Sequence, residues 1–150
     1  MAEMKVLLVD DEETFVQTLS KRLKMRDLKS DTVYDGSQAI DFVNDNEPDV
    51  MVLDLKMPGI DGMEVLRRVK KMYPNIQVII LTGHGTDRDE DESRRLGVFD
   101  YLKKPVDIEV LVDRIKAAYH EKLENTMAAA AFAEAGEHEM ARSIMEKKKK

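Results

Sequence analysis

The 150-residue chain is 43% hydrophobic and 36% charged, ordinary proportions for one globular domain with room for a small appendage. Its net charge of −6 argues against non-specific binding to nucleic acid. The absence of cysteine excludes disulfides and thiolate metal sites and fits a reducing, cytoplasmic setting. No apolar run approaches the roughly 18 residues that span a bilayer, and MAEMKVLLVD enters a strand pattern with no secretion leader.

Short apolar runs alternate with amphipathic stretches over residues 4 to 119. Met4 to Val9 reads as the first strand, and Phe15, Val16, Leu19 and Leu23 then recur at helical spacing. A second strand is expected around Lys29 to Tyr34. Gly36 and Ser37 open a helix carrying Ala39, Ile40 and Val43. Residues Asp49 to Asp54 form the third strand. The third helix starts at Asp61, with Glu64 completing a capping box, and buries Met63, Leu66, Val69 and Met72. Tyr73-Pro74-Asn75 breaks it before a fourth strand over Ile76 to Leu81. A fourth helix over 87 to 96 ends at Gly97, and Val98 to Leu102 is the fifth strand. The fifth helix runs from about Val106 to Tyr119, with Ile108, Leu111, Val112 and Ile115 inward. Such alternation predicts an α/β fold, a doubly wound parallel sheet covered on both faces.

The strand ends carry the chemistry. Asp10 and Asp11 follow the first strand, Asp54 the third, Thr82 the fourth and Lys104-Pro105 the fifth. Ligands of open parallel sheets bind outside the carboxyl ends of the strands, where strand order reverses. Singly, each residue has a plainer reading as a helix cap, turn former or surface lysine. Jointly they describe a crevice. Two unit charges about 4 Å apart at an effective dielectric of ~20 repel by ~4 kcal/mol, so clustered carboxylates call for a hard cation. Oxygen ligands suit Mg2+, and an aspartate beside it is a competent nucleophile toward a phosphoryl group. Thr82 and Lys104 would hold the remaining phosphoryl oxygens.

VLLVDDE (6 to 12), VLDLKMPGIDG (52 to 62), ILTGHG (80 to 85) and FDYLKKP (99 to 105) together resemble the CheY-like receiver domain of two-component response regulators. The resemblance covers residues 4 to about 119. It implies a flavodoxin-like five-stranded sheet of order 2-1-3-4-5, which the periodicity alone does not reveal. It also implies Asp54 as phosphoacceptor, and Mg2+ on Asp10, Asp11, Asp54 and the backbone carbonyl of Lys56. Thr82 and Lys104 become phosphoryl ligands, and the Lys104-Pro105 bond is cis. Thr82 and Tyr101 are the implied switch pair, although Tyr101 alone reads equally as a strand residue packing outward. Lys56 and His84 occupy positions that tune phosphoryl lifetime. The implied partners are a sensor histidine kinase and either a downstream protein or a second copy, met through the fourth helix, fifth strand and fifth helix. No enzyme activity beyond self-phosphorylation and self-dephosphorylation is implied.

TDRDEDESRRLG (86 to 97) departs from the family in having one clear apolar residue, Leu96. A loosely packed or shifted helix is expected there, with charges that select the partner. An ordinary exposed helix with an unusual face is the alternative. Residues 120 to 150 form a helical extension. Leu123, Met127 and Phe132 continue the fifth helix, Ala135-Gly136 stops it, and Met140, Ile144 and Met145 line a second short helix. Lys147 to Lys150 reads as a solvated tail or a phosphate-binding patch. A phosphorelay intermediate and the receiver part of a larger sigma-54-type regulator remain as variants. A haloacid-dehalogenase-like hydrolase would need a second Asp two residues after Asp54, where Lys56 stands.

Overall fold

The structure, a computed structural model, describes residues 3–134. Strands β1 (Val6–Val9), β2 (Ser30–Val33), β3 (Val50–Leu53), β4 (Gln77–Thr82) and β5 (Asp100–Lys103) alternate with helices α1 (Glu13–Lys24), α2 (Gly36–Asp45), α3 (Gly62–Met72), α4 (Asp87–Arg95) and α5 (Ile108–Glu134). The sheet is parallel throughout, in the order β2-β1-β3-β4-β5. The doubly wound fold and its order are therefore those expected.

The period-2 alternation of strand side chains builds both faces. Leu7, Val9, Met51, Leu53, Val78 and Ile80 point to one side, where α2 and α3 cover them with Ala39, Val43, Val65, Leu66 and Val69. Val6, Leu8, Val50, Val52, Ile79 and Leu81 point to the other, against Val16, Leu19 and Leu23 of α1 and Leu111, Ile115 and Ala118 of α5. A strand buried on both faces has no polar positions to alternate, which explains the unbroken runs VLLV, VMVL and VIIL.

Several local expectations shift. The Asp61 carboxylate caps α3 by accepting the Glu64 amide at 2.9 Å. The Glu64 carboxylate does not return the bond but pairs with Arg67 and Arg68 one turn on. Met72, expected inside, is exposed at the last residue of α3, and Val65 joins the buried stripe instead. In β5 the ladder with β4 begins at Ile79 opposite Asp100. Val98 precedes it because its amide closes the turn after α4 on the Ser93 carbonyl. Gly97 follows α4 at φ +94°, as a left-handed helix stop requires.

Helix α4 is tied down by charge more than by apolar contact. Ser93 is its one buried residue. A complete capping box of Thr86 and Asp89 opens it. Glu92 pairs with Arg67 of α3, Asp89 with Lys56, and Arg94 with Asp100 of β5.

Helix α5 runs for 27 residues, about 40 Å at 1.5 Å per residue. Its first half packs on the sheet. Lys122 then pairs with Asp49 at the start of β3, and beyond it Leu123 and Met127 are exposed. The helix thus continues past Tyr119 as expected. Its expected stop at Ala135-Gly136, the second short helix and the lysine run lie outside the described residues. Among the described residues, no helix is long and apolar enough to cross a membrane.

Candidate functional site

Strand order reverses between β1 and β3, and the chain leaves both strands as acids. The Asp54 amide donates to the Val9 carbonyl at 3.0 Å, and the Asp10 amide to Val33 at 3.2 Å. These ladder-end bonds fix where the two carboxylates start. Asp10 and Asp54 are buried, at 4% and 3% exposure, whereas Asp11 is exposed. One oxygen from each of Asp10, Asp11 and Asp54 lies within 4.8 Å of the others.

Lys104, just after β5, reaches across the strand ends into this cluster. Its ammonium donates to Asp10 Oδ2 at 2.6 Å and stands 3.8 Å from Asp54 Oδ2 and 3.7 Å from Glu12 Oε1. The other Asp10 oxygen accepts the Glu12 amide at 2.9 Å. The Lys104-Pro105 bond is cis, and the Lys104 amide bonds the Thr82 carbonyl at 2.9 Å, which locks the end of β5 to the end of β4. Thr82 is buried beside Asp54, its hydroxyl accepting the His84 amide at 3.4 Å.

Burial pushes the Asp54 carboxyl above the usual carboxylate range. The Thr82 hydroxyl, the Lys104 charge and the Lys56 amide oppose the rise, while the Asp10 charge adds to it. Burial alone would lower Lys104, but its bond to Asp10 and the charges of Asp10, Asp54 and Glu12 outweigh that and hold it above the usual lysine range. An all-oxygen set of three carboxylates, two buried and one open to solvent, is a donor set suited to a small hard dication that keeps some of its water. Asp10, Asp11 and Asp54 could hold such an ion, and a cleft of about 400 Å³ bordered by Asp11, Lys56, Met57, Asp61 and Asp89 opens beside them.

Of the residues singled out in the sequence, Asp10, Asp11, Asp54, Thr82 and Lys104 come together. The side chains of Lys56 and His84 do not. Lys56 sends only its amide toward Asp54, at 3.4 Å, while its ammonium lies 3.7 Å from Asp89 of α4. His84 approaches Thr82 through its backbone, and its side chain is exposed. Tyr101 does not pack outward. It is 6% exposed, and its hydroxyl has no hydrogen-bond partner among the described residues. A Cβ on Gly85 would lie 1.8 Å from that hydroxyl and 3.0 Å from the Thr82 methyl. The ring therefore occupies space that glycine leaves open beside Thr82.

Three neighbours were given no role in the sequence reading. Glu12, next after the acid pair there, lies 3.7 Å from the Lys104 ammonium. Gly62 packs on the Asp54 backbone, with its amide on the Leu55 carbonyl at 2.9 Å. Phe15, read as one more apolar position of α1, lies under the Lys104 ammonium at 4.3 Å from the ring centroid.

A doubly wound fold with carboxylates and a lysine at its switch point defines a class of α/β proteins with an acidic crevice at the strand ends. The sequence profile of the response regulator receiver domain matches residues 6–116. The chain is similar to a receiver domain protein from Clostridium thermocellum, at 35% identity over 79% of this chain and 96% of that one, with a TM-score of 0.75. It is similar also to the receiver domain of the Francisella response regulator 1452, at 31% identity over 79% and 98%, TM-score 0.74. NtrX from Brucella abortus shares the fold at 24% identity and TM-score 0.79, over 87% of this chain but 30% of that longer one. The chain belongs to the response regulator receiver domain family and is a receiver domain of the two-component type.

Proposed function

We propose that the chain accepts a phosphoryl group on Asp54 from a sensor histidine kinase and converts it into altered protein binding. The observation that carries this reading is the convergence of Asp10, Asp11 and Asp54 with Lys104 and Thr82 at the switch point of the sheet. Asp10, Asp11, Asp54 and the Lys56 carbonyl would hold Mg2+, which when bound offsets the repulsion among the carboxylates and the incoming phosphate.

The Asp54 carboxylate oxygen attacks phosphorus on the side away from the donor. The P–N bond of the phosphohistidine breaks, its electron pair stays on the imidazole, which takes up a proton, and an acyl phosphate forms on Asp54. Lys104 and Thr82 hold phosphoryl oxygens as charge shifts to them. Lys104 has only to slide from Asp10 toward Asp54, a neighbour already 3.8 Å away.

Thr82 and Tyr101 form the switch. The threonine turns toward the phosphoryl group and changes the wall against which the buried ring rests. The output surface is the face of α4, β5 and α5, where the charged positions of α4 select the partner, a downstream protein or a second copy. Lys56 and His84 tune phosphoryl lifetime from the rim. We place the end of the receiver near residue 119 and treat 120–150 as a helical extension of separate role. A relay role and membership in a longer regulator are variants of the same chemistry, the second supported by the longer NtrX chain. A hydrolase is disfavoured because Lys56, its ammonium turned to Asp89, stands two residues after Asp54 in place of the aspartate that would serve as general acid.

Incubation with phosphoramidate and Mg2+, followed by intact-mass measurement, tests the proposal. One added phosphoryl group is expected on the wild type, with none on Asp54→Asn and none in excess EDTA. Equal labelling of Asp54→Asn would remove Asp54 as acceptor, and sustained turnover of phosphate esters would replace the proposed signalling role with hydrolysis.

A further inference from the structure

Lys104 is held from one side by oxygen and from the other by an aromatic face. Its ammonium has Asp10 at 2.6 Å, Glu12 at 3.7 Å and Asp54 at 3.8 Å. Below it, 4.3 Å away, is the ring centroid of Phe15, well inside the roughly 6 Å range of a cation–π contact. The Lys104 side chain is 13% exposed, so little water screens this contact. Phe15 lies in the first turn of α1, the helix that begins just after Asp10, Asp11 and Glu12. It packs partly buried against the α1/α5 face of the core, and with Val9, Val16, Val52 and Leu81 it borders a narrow gap under Asp10 and Asp54.

An ammonium has three N–H donors and no acceptor. A further carboxylate beneath Lys104 would attract the charge but also capture a donor that a phosphoryl oxygen needs. A ring face attracts the charge through its quadrupole, without a directional hydrogen bond. It also leaves the ammonium free to travel sideways. Asp10 and Asp54 both lie within 4 Å of the seated ammonium, so its shift from one to the other is short.

We propose that Phe15 is a positioning residue for phosphoryl transfer, its ring seating the Lys104 ammonium within reach of the group on Asp54. This rests on the phosphoacceptor reading, but the seat itself can be tested apart from it. Phe15→Leu keeps apolar bulk and removes the ring, whereas Phe15→Tyr and Phe15→Trp keep an aromatic face. Two readouts are made on all four proteins: the rate of labelling by phosphoramidate with Mg2+, and the proton chemical shift of the Lys104 ε-methylene. A ring under the ammonium should move that signal upfield in the wild type. Phe15→Leu should lose the upfield shift and label about three- to tenfold more slowly. Tyr or Trp should restore both, and a thermal melt on each variant separates loss of fold from loss of seat. Labelling of folded Phe15→Leu at the wild-type rate, or no rescue by either aromatic, overturns the proposal. Should the wild type take up no phosphoryl group, the acceptor reading fails. The Lys104 shift then decides the seat alone: its presence in wild type and loss in Phe15→Leu supports it, and its absence overturns it.

Discussion

Gly62→Ala is expected to destabilise the chain by about 3 kcal/mol, at or beyond the usual upper range for overpacking, and to lower Tm by roughly 10 °C. Added to Gly62, a Cβ would sit 2.1 Å from the Asp54 carbonyl oxygen, 2.5 Å from the Leu55 Cα and 2.9 Å from the Asp54 carbonyl carbon. All three are backbone atoms, so no rotamer change relieves the overlap. The start of α3 cannot retreat cheaply either. The Gly62 amide bonds Leu55 at 2.9 Å, and Asp61 caps the helix through the Glu64 amide. Any shift of α3 would drag the peptide that carries Asp54, so slower phosphoryl uptake should accompany the lower Tm. Gly83→Ala is the matched control. Its nearest foreign neighbour would be the Lys104 Cβ at 3.7 Å, an ordinary contact. Thermal denaturation followed by circular dichroism compares the two. A loss of less than about 1 kcal/mol at Gly62 would mean that α3 is not fixed on the acceptor peptide as described.

The second large effect concerns the carboxylates. Burial first, and then the Asp10 charge, hold the Asp54 pKa above its ordinary value. A carboxyl group whose pKa is raised by folding binds its proton more tightly in the native state. Its contribution to stability is therefore full below the unfolded pKa of about 4 and is lost as pH rises toward the folded value. In metal-free buffer at neutral pH, Asp54 is thus a destabilising charge, and Asp54→Asn should melt higher than wild type, with the difference shrinking in acid. Mg2+ should relieve the same repulsion. At about 100 times its dissociation constant, a ligand that binds only the native state adds about 2.7 kcal/mol, or roughly 10 °C at this chain length. Asp11→Asn should lose most of that gain. Asp11 is solvent-exposed, so its replacement leaves the packed ladder ends of Asp10 and Asp54 intact. Calorimetric scans with Mg2+ and with EDTA supply the comparison. A wild-type Tm indifferent to millimolar Mg2+ would rule out the acid cluster as a metal site.

How much of this was legible in the sequence follows from chain separation. Strands buried on both faces write themselves as VLLV and VIIL, and the acids after them as DD and D, so the site's parts could be read locally. Their meeting could not. Lys104 and Asp10 are 94 residues apart in the chain, and only a resemblance supplied the strand order that joins them. Phe15 was hidden for a related reason: at helical spacing with Leu19 and Leu23, a cation seat and a core residue look alike. The Lys56–Asp89 pair joins a loop to a helix whose placement the sequence does not state. Glu64 matched the capping-box spacing, but two arginines one turn on compete for its carboxylate. Met72 continued the apolar period of α3 to a last residue that stays in solvent. The inward ring of Tyr101 depends on the space left at Gly85, a tertiary fit that a strand pattern does not encode.

Locating the phosphoryl group by chemistry tests the central claim most directly. After labelling with phosphoramidate and Mg2+, borohydride reduces an aspartyl phosphate to homoserine, and peptide mass spectrometry reads the position. Conversion confined to Asp54, dependent on Mg2+ and absent without the phosphodonor, is the expected result. Conversion at Asp10 or Asp11 instead, or a stable phosphoryl label on another residue while Asp54 stays unchanged, would contradict the assignment.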